Sequence, residues 1–276
     1  MICEVFLFPK LITFIKNNQN LEIPFEPILF GIKINIHLIL EYLAFIVGFR
    51  YYIFLRKRST DEISSNNRLS IIIGATLGAL IGSRIIGFME YPFINYAENT
   101  WIALLNAKSI MGGLFGGLLG VEIAKKLIGE KRSSGDLFTF PIILGIFIGR
   151  IGCFLSGTNE FTYGIKTSSI FGMDLGDGIL RHPLALYELV FLVLLALALR
   201  KIQKKNVLKN GELFKWFMIS YFGFRFLIEF LKPNEFFVLG LSSVQILCII
   251  CLLYYYKTFF FKRESRPRNK QTTKTA

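Results

Sequence analysis

The stretch LFTFPIILGIFIGRIGCFLSG, residues 137–157, decides the fold of this chain. It holds a single charged side chain, that of Arg150. An α-helix needs about 20 predominantly apolar residues to cross the hydrocarbon core of a bilayer, so the stretch predicts a transmembrane helix. Apolar runs of similar length occur elsewhere and predict seven spans in total, at residues 34–55, 69–89, 109–128, 137–157, 183–199, 213–231 and 240–261.

The composition of the whole chain supports the same class of fold. Of the 276 residues, 53% are hydrophobic and 18% are charged, and the mean hydropathy is +0.51, values that exclude an ordinary soluble globular protein. Strands of an outer-membrane barrel would instead show alternating segments of about ten residues. The sequence therefore predicts an all-α, polytopic membrane protein with about seven transmembrane helices.

The distribution of positive charge predicts the orientation of these helices. The chain carries 32 Lys and Arg against 19 Asp and Glu. One set of loops, together with the carboxyl-terminal tail, holds 21 of the basic residues, whereas the opposite set holds seven. Because cytoplasmic loops retain Lys and Arg, the amino terminus is predicted outside and the carboxyl terminus in the cytoplasm. We predict an external interfacial segment at 1–33, a membrane domain at 34–261 and a basic tail at 262–276 that contacts anionic lipid rather than nucleic acid.

Several ionisable residues fall inside the predicted spans, where each needs a partner, water or a function. Arg84, Arg150 and Arg225 all lie in the outer halves of their spans by helical rise. The remaining ionisable residues at this depth are Glu41, Glu188, Glu229 and, at the water edge, His182. Guanidinium groups bind phosphate in bidentate fashion, so we predict a cavity open to the external leaflet that holds an anionic lipid head group. Alternatively, Arg225 and Glu229 are spaced i, i+4 and could form only a local ion pair.

Glycines recur every four residues in two neighbouring spans. This spacing predicts close helix packing, or alternatively the approach of a lipid to bare backbone. The glycines are Gly74, Gly78 and Gly82 in one span, and Gly112, Gly113, Gly116, Gly117 and Gly120 in the next.

The pair Cys248 and Cys251 has C-x-x-C spacing but lies in an apolar run, which favours a packing role over metal binding or redox chemistry. No set of residues shows metal-ligand spacing, so no metal or cofactor is expected.

Five motifs together resemble the prolipoprotein diacylglyceryl transferases of bacteria, over about residues 27–253. Gly149-Arg-Ile-Gly-Cys-Phe is similar to the Gly-Arg-x-Gly-Asn-Phe signature of that family. His182-Pro-Leu-Ala-Leu-Tyr-Glu is similar to its His-Pro-x-Gln-Leu-Tyr-Glu, and Tyr221-Phe-Gly-Phe-Arg-Phe-Leu-Ile-Glu to its Arg-Phe-x-x-Glu segment. Gly82-Ser-Arg and Met111-Gly-Gly follow the family order.

The resemblance implies a multi-pass enzyme of the bacterial inner membrane. Its substrates would be phosphatidylglycerol and the lipobox cysteine in the signal peptide of a prolipoprotein, and membrane lipids would surround it. The resemblance implies that Arg150 and Arg225 hold the head group, with Glu229 one turn after the second arginine. By residue type and position, His182 and Glu188 are candidates to accept the thiol proton. Our predicted substrate-binding residues are Arg84, Gly112, Gly113, Gly164 and Tyr187.

The chain departs from the family pattern in three places. Cys153 stands where the signature has asparagine, and Met111 stands where the family has a histidine before Gly-Gly. The acid that should follow the signature is displaced, with Thr158 or Asn159 nearest in register and Glu160 available if the loop is longer. These departures predict a divergent branch, and they leave two alternative functions open: a related transferase with another acceptor, or a non-catalytic lipid-binding protein.

Overall fold

The computed structural model describes residues 23–29, 31–59, 61, 63–90, 100–205, 208–234 and 240–260. The described residues form eight α-helices: α1 Ile36–Arg58, α2 Ser65–Glu90, α3 Thr100–Asn106, α4 Ile110–Leu127, α5 Asp136–Ser156, α6 Leu184–Lys204, α7 Glu212–Ile228 and α8 Ser243–Phe260. Two antiparallel pairs of short strands accompany them, β1 Ile28–Leu29 with β2 Ile32–Lys33 and β3 Met173–Asp174 with β4 Leu180–Arg181. The predicted tail and most of the predicted interfacial segment lie outside the described residues.

Three helical segments are long and apolar enough to cross a membrane: α1, α2, and α5 with the 3-10 turn that extends it to Asn159. The helix α6 is also long enough to cross a membrane, but every 18-residue window within it contains the three charged residues Glu188, Arg200 and Lys201. Many large apolar side chains remain exposed on the helices, as lipid contact requires. The chain is therefore an all-α membrane protein, and each of the seven long helices overlaps one predicted span.

Local sequence sets the helix ends. Asn35 precedes α1, and its side-chain oxygen accepts a hydrogen bond from the Leu38 amide at 3.0 Å. The carboxylate of Asp136, at the start of α5, accepts hydrogen bonds from the amides of Gly211 at 2.6 Å and Phe214 at 3.0 Å. These amides lie at the start of α7, where the helix leaves its first N–H groups unpaired. Asp136 therefore joins the beginnings of two helices.

The helices associate in an order that differs from their order along the chain. The helix α1 packs along α5 and α2 packs along α4, whereas α5, α6, α7 and α8 share the main core. Cys248 and Cys251 are fully buried in this core as free thiols, in agreement with the packing interpretation. This order brings α5, α6 and α7 into mutual contact.

Glycine backbones form the contact between α2 and α4. A Cβ atom added at Gly78 would lie 2.2 Å from the carbonyl oxygen of Gly116, and one at Gly82 would lie 2.4 Å from that of Gly112. Such distances exclude any side chain without movement of the backbone. Dispersion contacts of this kind hold helices together in lipid, where no hydrophobic effect acts between them. The packing interpretation of these glycines is confirmed.

Buried ion pairs connect the loops at the basic end of the bundle. The buried guanidinium of Arg68 donates from Nε to Asp61 Oδ2 at 3.0 Å, makes a second, shorter contact with Asp61 Oδ1, and donates from Nη1 to the carbonyl of Ser134 at 3.1 Å. Glu130 accepts from Arg132 Nε at 2.8 Å and from Asn67 Nδ2 at 3.1 Å. Hydrogen bonds from Arg132, supplemented by Asn67, lower the pKa of Glu130 to about 2. Burial raises the pKa of Asp61, but hydrogen bonds and nearby positive charge outweigh it and hold this pKa below its usual value. The hydrogen bond from Arg68 is the largest of the lowering effects.

These two carboxylates predict a loss of stability in acid. Their folded pKa values lie below the unfolded ones. The contribution of Glu130 is therefore present above its unfolded value near 4.5 and is lost as the pH falls toward 2. The contribution of Asp61 is likewise present above its unfolded value of 3.8 and is lost at lower pH. We expect the melting temperature of the detergent-solubilised protein to fall across this window, and Glu130→Gln to flatten the fall. Thermal unfolding between pH 7 and pH 3 measures both. Glu122→Gln, at an exposed carboxylate on α4, is the matched control, and an equal flattening there would contradict the assignment.

Candidate active site

The end of the bundle opposite the basic loops contains a buried cluster of charged groups centred on Glu188. Arg150 Nε lies 2.7 Å from Glu188 Oε1, and Arg225 Nη1 donates to Oε2 at 2.9 Å. The Tyr221 hydroxyl donates to Oε1 at 2.6 Å. Arg150, Glu188 and Arg225 come from α5, α6 and α7, within about 9 Å of the helix ends by a rise of ~1.5 Å per residue. Three helices that share the core therefore deliver their charges to one place.

The cluster continues beyond Arg225 at the end of α7. Arg225 Nη2 donates to Glu229 Oε2 at 2.9 Å, so the predicted i, i+4 ion pair is present. Asn234 Nδ2 in turn donates to Glu229 Oε1 at 2.8 Å. Glu188 and Glu229 are each only 1% exposed, and both arginines are below 9%. Two guanidinium groups and two carboxylates are thus held together away from water.

The Nε–H of Arg225 is buried and has no hydrogen-bond acceptor among the described residues. Arg150 Nε, by contrast, lies in an ion pair with Glu188 Oε1 at 2.7 Å, although its N–H is poorly aligned on that oxygen. A buried donor without an acceptor costs about 1–3 kcal/mol. Carboxylate and phosphate oxygens are the acceptors that guanidinium groups bind best.

His182 and Tyr187 form a separate pair where α6 begins. His182 Nδ1 lies 3.0 Å from the Tyr187 hydroxyl. Burial lowers the pKa of His182, so its imidazole is neutral at pH 7. The described hydrogen bonds of His182 do not reach the Glu188 cluster, although Tyr187 and Glu188 are neighbours in sequence.

Backbone hydrogen bonds at Gly164 and Ile165 connect the loop between α5 and α6 to the segments before α6 and after α7. The amide of Gly164 donates to the carbonyl of His182 at 2.9 Å, and the next amide, that of Ile165, donates to Leu231 at 2.8 Å. A Cβ atom at Gly164 would lie 2.6 Å from His182 Cβ. The close approach of this backbone to two others gives Gly164 a packing role.

Asp174 stabilises a turn in the same loop. Its side chain accepts a hydrogen bond from the amide of Gly176 at 2.8 Å, the turn function that its neighbouring glycines favour.

The prediction that three arginines converge holds for only two of them. Arg84 Nη1 donates to the carbonyl of Ala107 at 2.9 Å, and no described contact joins it to the cluster. A Cβ atom added at Gly112 would lie 2.2 Å from the carbonyl oxygen of Gly82, and one added at Gly113 would lie 3.7 Å from Ser83 Cβ. Both glycines therefore belong to the α2–α4 contact. Helical rise gives the position of Arg84 along α2 but not the rotation of α2 about its axis, which the glycine contact fixes.

Sequence reasoning missed two members of the cluster. Tyr221 lies one turn before Arg225 on the same face of α7, so the i, i+4 spacing used for Glu229 could have identified it. Asn234 follows a 3-10 turn, and sequence gives no comparable spacing there. Two of the three departures from the family pattern are substitutions: Met111 is buried in the core, and Cys153 accepts a hydrogen bond from Arg150 Nη1 at 3.6 Å.

Fold and site together define a helical membrane protein with a buried cluster of guanidinium and carboxylate groups near one end of its bundle. Residues 27–261 match the family model of the prolipoprotein diacylglyceryl transferases. The chain belongs to this family and is a transferase. It is 29% identical to the phosphatidylglycerol–prolipoprotein diacylglyceryl transferase of Finegoldia magna, over 82% of this chain and 90% of that protein. The protein of the same name from Campylobacter hominis is 30% identical, over 83% of this chain and 88% of the relative.

Removal of one hydroxyl tests the part that Tyr221 plays in this cluster. Tyr221→Phe deletes the 2.6 Å hydrogen bond to Glu188, so the carboxylate that holds both arginines becomes less fixed. We expect transferase activity to fall about tenfold, the equivalent of about 1.4 kcal/mol. The control is Tyr52→Phe, which removes a buried hydroxyl that has no partner among the described residues. Equal activity of the two variants would contradict a positioning role for Tyr221.

Proposed function

We propose that this protein transfers the diacylglyceryl group of phosphatidylglycerol to the thiol of the lipobox cysteine in prolipoprotein signal peptides. The observation that carries the proposal is the convergence of two buried guanidinium groups, those of Arg150 and Arg225, on Glu188. Membership of the family supplies the reaction class, and the names of the relatives supply the two substrates.

The reaction is a displacement at carbon. The cysteine sulfur forms a bond to the glyceryl carbon that carries the phosphate, the bond from this carbon to oxygen breaks, and glycerol phosphate leaves with the electron pair. The leaving oxygen gains negative charge as the bond breaks, and preorganised donors in a dry site stabilise such charge most effectively. Arg150 and Arg225 supply these donors. Glu188 neutralises part of their charge and fixes their mutual orientation.

The proposed location of the site is the outer leaflet of the bacterial inner membrane, in a protein of seven spans. The cluster lies near the carboxyl ends of α5 and α7 and the amino end of α6. The basic residues lie at the other ends of the helices, for example in the last turns of α1, α4 and α6. Because cytoplasmic ends retain positive charge, this opposition supports an external site with the amino terminus outside. The predicted segments 1–33 and 262–276 belong to the same proposal.

A transfer assay with purified protein tests the function. Phosphatidylglycerol labelled in its acyl chains is supplied in vesicles with a lipobox peptide, and we expect the label to move to the peptide with release of glycerol phosphate. A peptide with serine in place of the cysteine is the matched control and should remain unlabelled. Binding of the lipid without turnover, or labelling of a different acceptor, would reject the proposal in favour of one of the two alternative functions.

A further inference from the structure

We propose that His37, oriented by Glu160, is the general base that takes the proton from the acceptor thiol; this inference rests on the proposed function. The thiolate is the nucleophilic form of cysteine, so a base beside the acceptor raises the reactive fraction. His37 lies in the first turn of α1, and the sequence alone did not identify it as a functional residue. Glu160 follows the 3-10 turn at the end of α5.

The groups at the centre of the cluster are poorly suited to this task. Glu188 is bound to two guanidinium groups and a phenol, and Glu229 is bound to Arg225 and Asn234. A carboxylate held by cations in this way is a weak base. The chain has two histidines, and Nδ1 of His182 already interacts with the Tyr187 hydroxyl. His37 is the histidine that remains.

The surroundings of His37 suit a base that is oriented by an acid. Its Nδ1 atom is buried without a hydrogen bond and lies 3.8 Å from Glu160 Oε1, a gap that a small movement closes. Catalytic hydrogen bonds are often this long before substrate binds. The His37 side chain retains 19% exposure, and Nε2 is not among the buried unpaired atoms. Glu160 therefore faces one ring nitrogen and leaves the other open to a substrate.

The packing of α1 against α5 brings His37 to the level of the arginine site. A Cβ atom at Gly152 would lie 3.3 Å from His37 Cα, so the absence of a side chain permits this approach. Gly152 lies between Arg150 and Cys153, whose sulfur accepts the Arg150 hydrogen bond at 3.6 Å. His37 therefore lies within about one helical turn of Arg150 along the axis of α5.

Other charged groups near His37 are themselves paired. The hairpin before α1 contributes Glu26, which binds Lys33 at 3.1 Å and accepts from Asn159 at 2.8 Å. One turn further along α1, Glu41 binds Lys108 at 2.7 Å. Among the described residues, Glu160 has His37 as its basic partner and no other. Glu160 is therefore the group in this region that is free to stabilise an imidazolium.

The proton taken from the thiol returns to solvent or product by the end of the reaction. Nε2 of neutral His37 removes the thiol proton, and Glu160 stabilises the charge of the imidazolium through the N–H at Nδ1. The thiolate then forms the carbon–sulfur bond while the carbon–oxygen bond to phosphate breaks. The imidazolium returns its proton to the departing glycerol phosphate or to water, which restores the neutral base.

The test compares a thiol acceptor with a selenol acceptor. A selenol ionises at lower pH than a thiol, so a selenocysteine peptide has much less need of a base. For His37→Gln at pH 7 we expect transfer to the cysteine peptide to fall at least about 10²-fold, the usual contribution of a general base. Transfer to the selenocysteine peptide should stay within about tenfold of the wild type. A purely structural defect would reduce both reactions equally.

Glu160→Gln provides a second variant at a more exposed position, 41% exposed at the side chain. Loss of this carboxylate removes the group that stabilises the imidazolium, so transfer to the cysteine peptide should fall while transfer to the selenocysteine peptide stays close to the wild type. Glu122→Gln is the matched control and should leave both reactions unchanged. Equal losses with both acceptors in either variant, or thiol transfer by His37→Gln within twofold of the wild type, would each overturn the assignment. Absence of transfer by the wild-type protein would instead reject the proposed function, so the two failures are distinguishable.

Discussion

Arg150→Ala is expected to lower diacylglyceryl transfer about 10²- to 10³-fold, because the variant removes a guanidinium group that stabilises the charge developing on the leaving phosphate in the proposed reaction. Arg225 and Tyr221 would still hold Glu188 in this variant. The acid therefore keeps partners, and we expect the protein to remain folded in the membrane. The measurement is the rate of label transfer from phosphatidylglycerol to a lipobox peptide, with the yield of folded protein recorded in parallel.

The matched control is Arg200→Ala, near the opposite end of α6. The Arg200 guanidinium lies 5.5 Å from the centre of the Phe140 ring and far from Glu188 along the helix. We expect this variant to keep most of its activity. Substantial transfer by Arg150→Ala, or an equal loss in the control, would show that the convergence of the arginines has another purpose.

The second large effect is expected at the contact between α2 and α4. A Cβ atom at Gly116 would lie 2.3 Å from the carbonyl oxygen of Gly78, whereas one at the adjacent Gly117 would have its nearest neighbour at 3.4 Å. Gly116→Ala must therefore separate the two backbones, whereas Gly117→Ala needs only a small adjustment. Overpacking of this kind typically costs about 1–3 kcal/mol or more.

Unfolding of the two variants in detergent measures this difference. We expect Gly116→Ala to lower the melting temperature by several degrees and Gly117→Ala to change it little. Similar melting temperatures for both variants would mean that the close approach of the backbones contributes little to stability.

The sequence predicted the helical segments well because each depends on a local property. Apolar length identified all seven long helices, and i, i+4 spacing identified the Arg225–Glu229 pair. The convergence of Arg150 with Arg225 was also predicted, because helical rise places both arginines in the outer halves of their spans. The resemblance of five short motifs to one family indicated the reaction class.

What the sequence could not supply was the rotation and partner of each helix. Arg84 is predicted at a depth similar to that of Arg150, yet its guanidinium donates to the carbonyl of Ala107 on the side of α2 that the glycine contact with α4 determines. The approach of His37 to Glu160 depends on the pairing of α1 with α5, helices separated by more than 70 residues of chain. Short turns are equally hard to predict, which is why Asn234 was missed.

The balance of charge around Glu188 has a consequence for turnover. Two carboxylates offset the two guanidinium groups, so the described cluster carries little net charge before a substrate arrives. Phosphatidylglycerol brings one negative charge, but glycerol phosphate carries between one and two near neutral pH, since the second ionisation of a phosphate monoester lies near pH 6. Because the two carboxylates already offset the two guanidinium groups, the cluster has little net positive charge with which to retain the second negative charge of the product, and release of glycerol phosphate should not be slowed by a strong ion pair. Weak inhibition by glycerol phosphate at pH 8 would be the sign of this balance, and tight inhibition at pH 8 would argue against it.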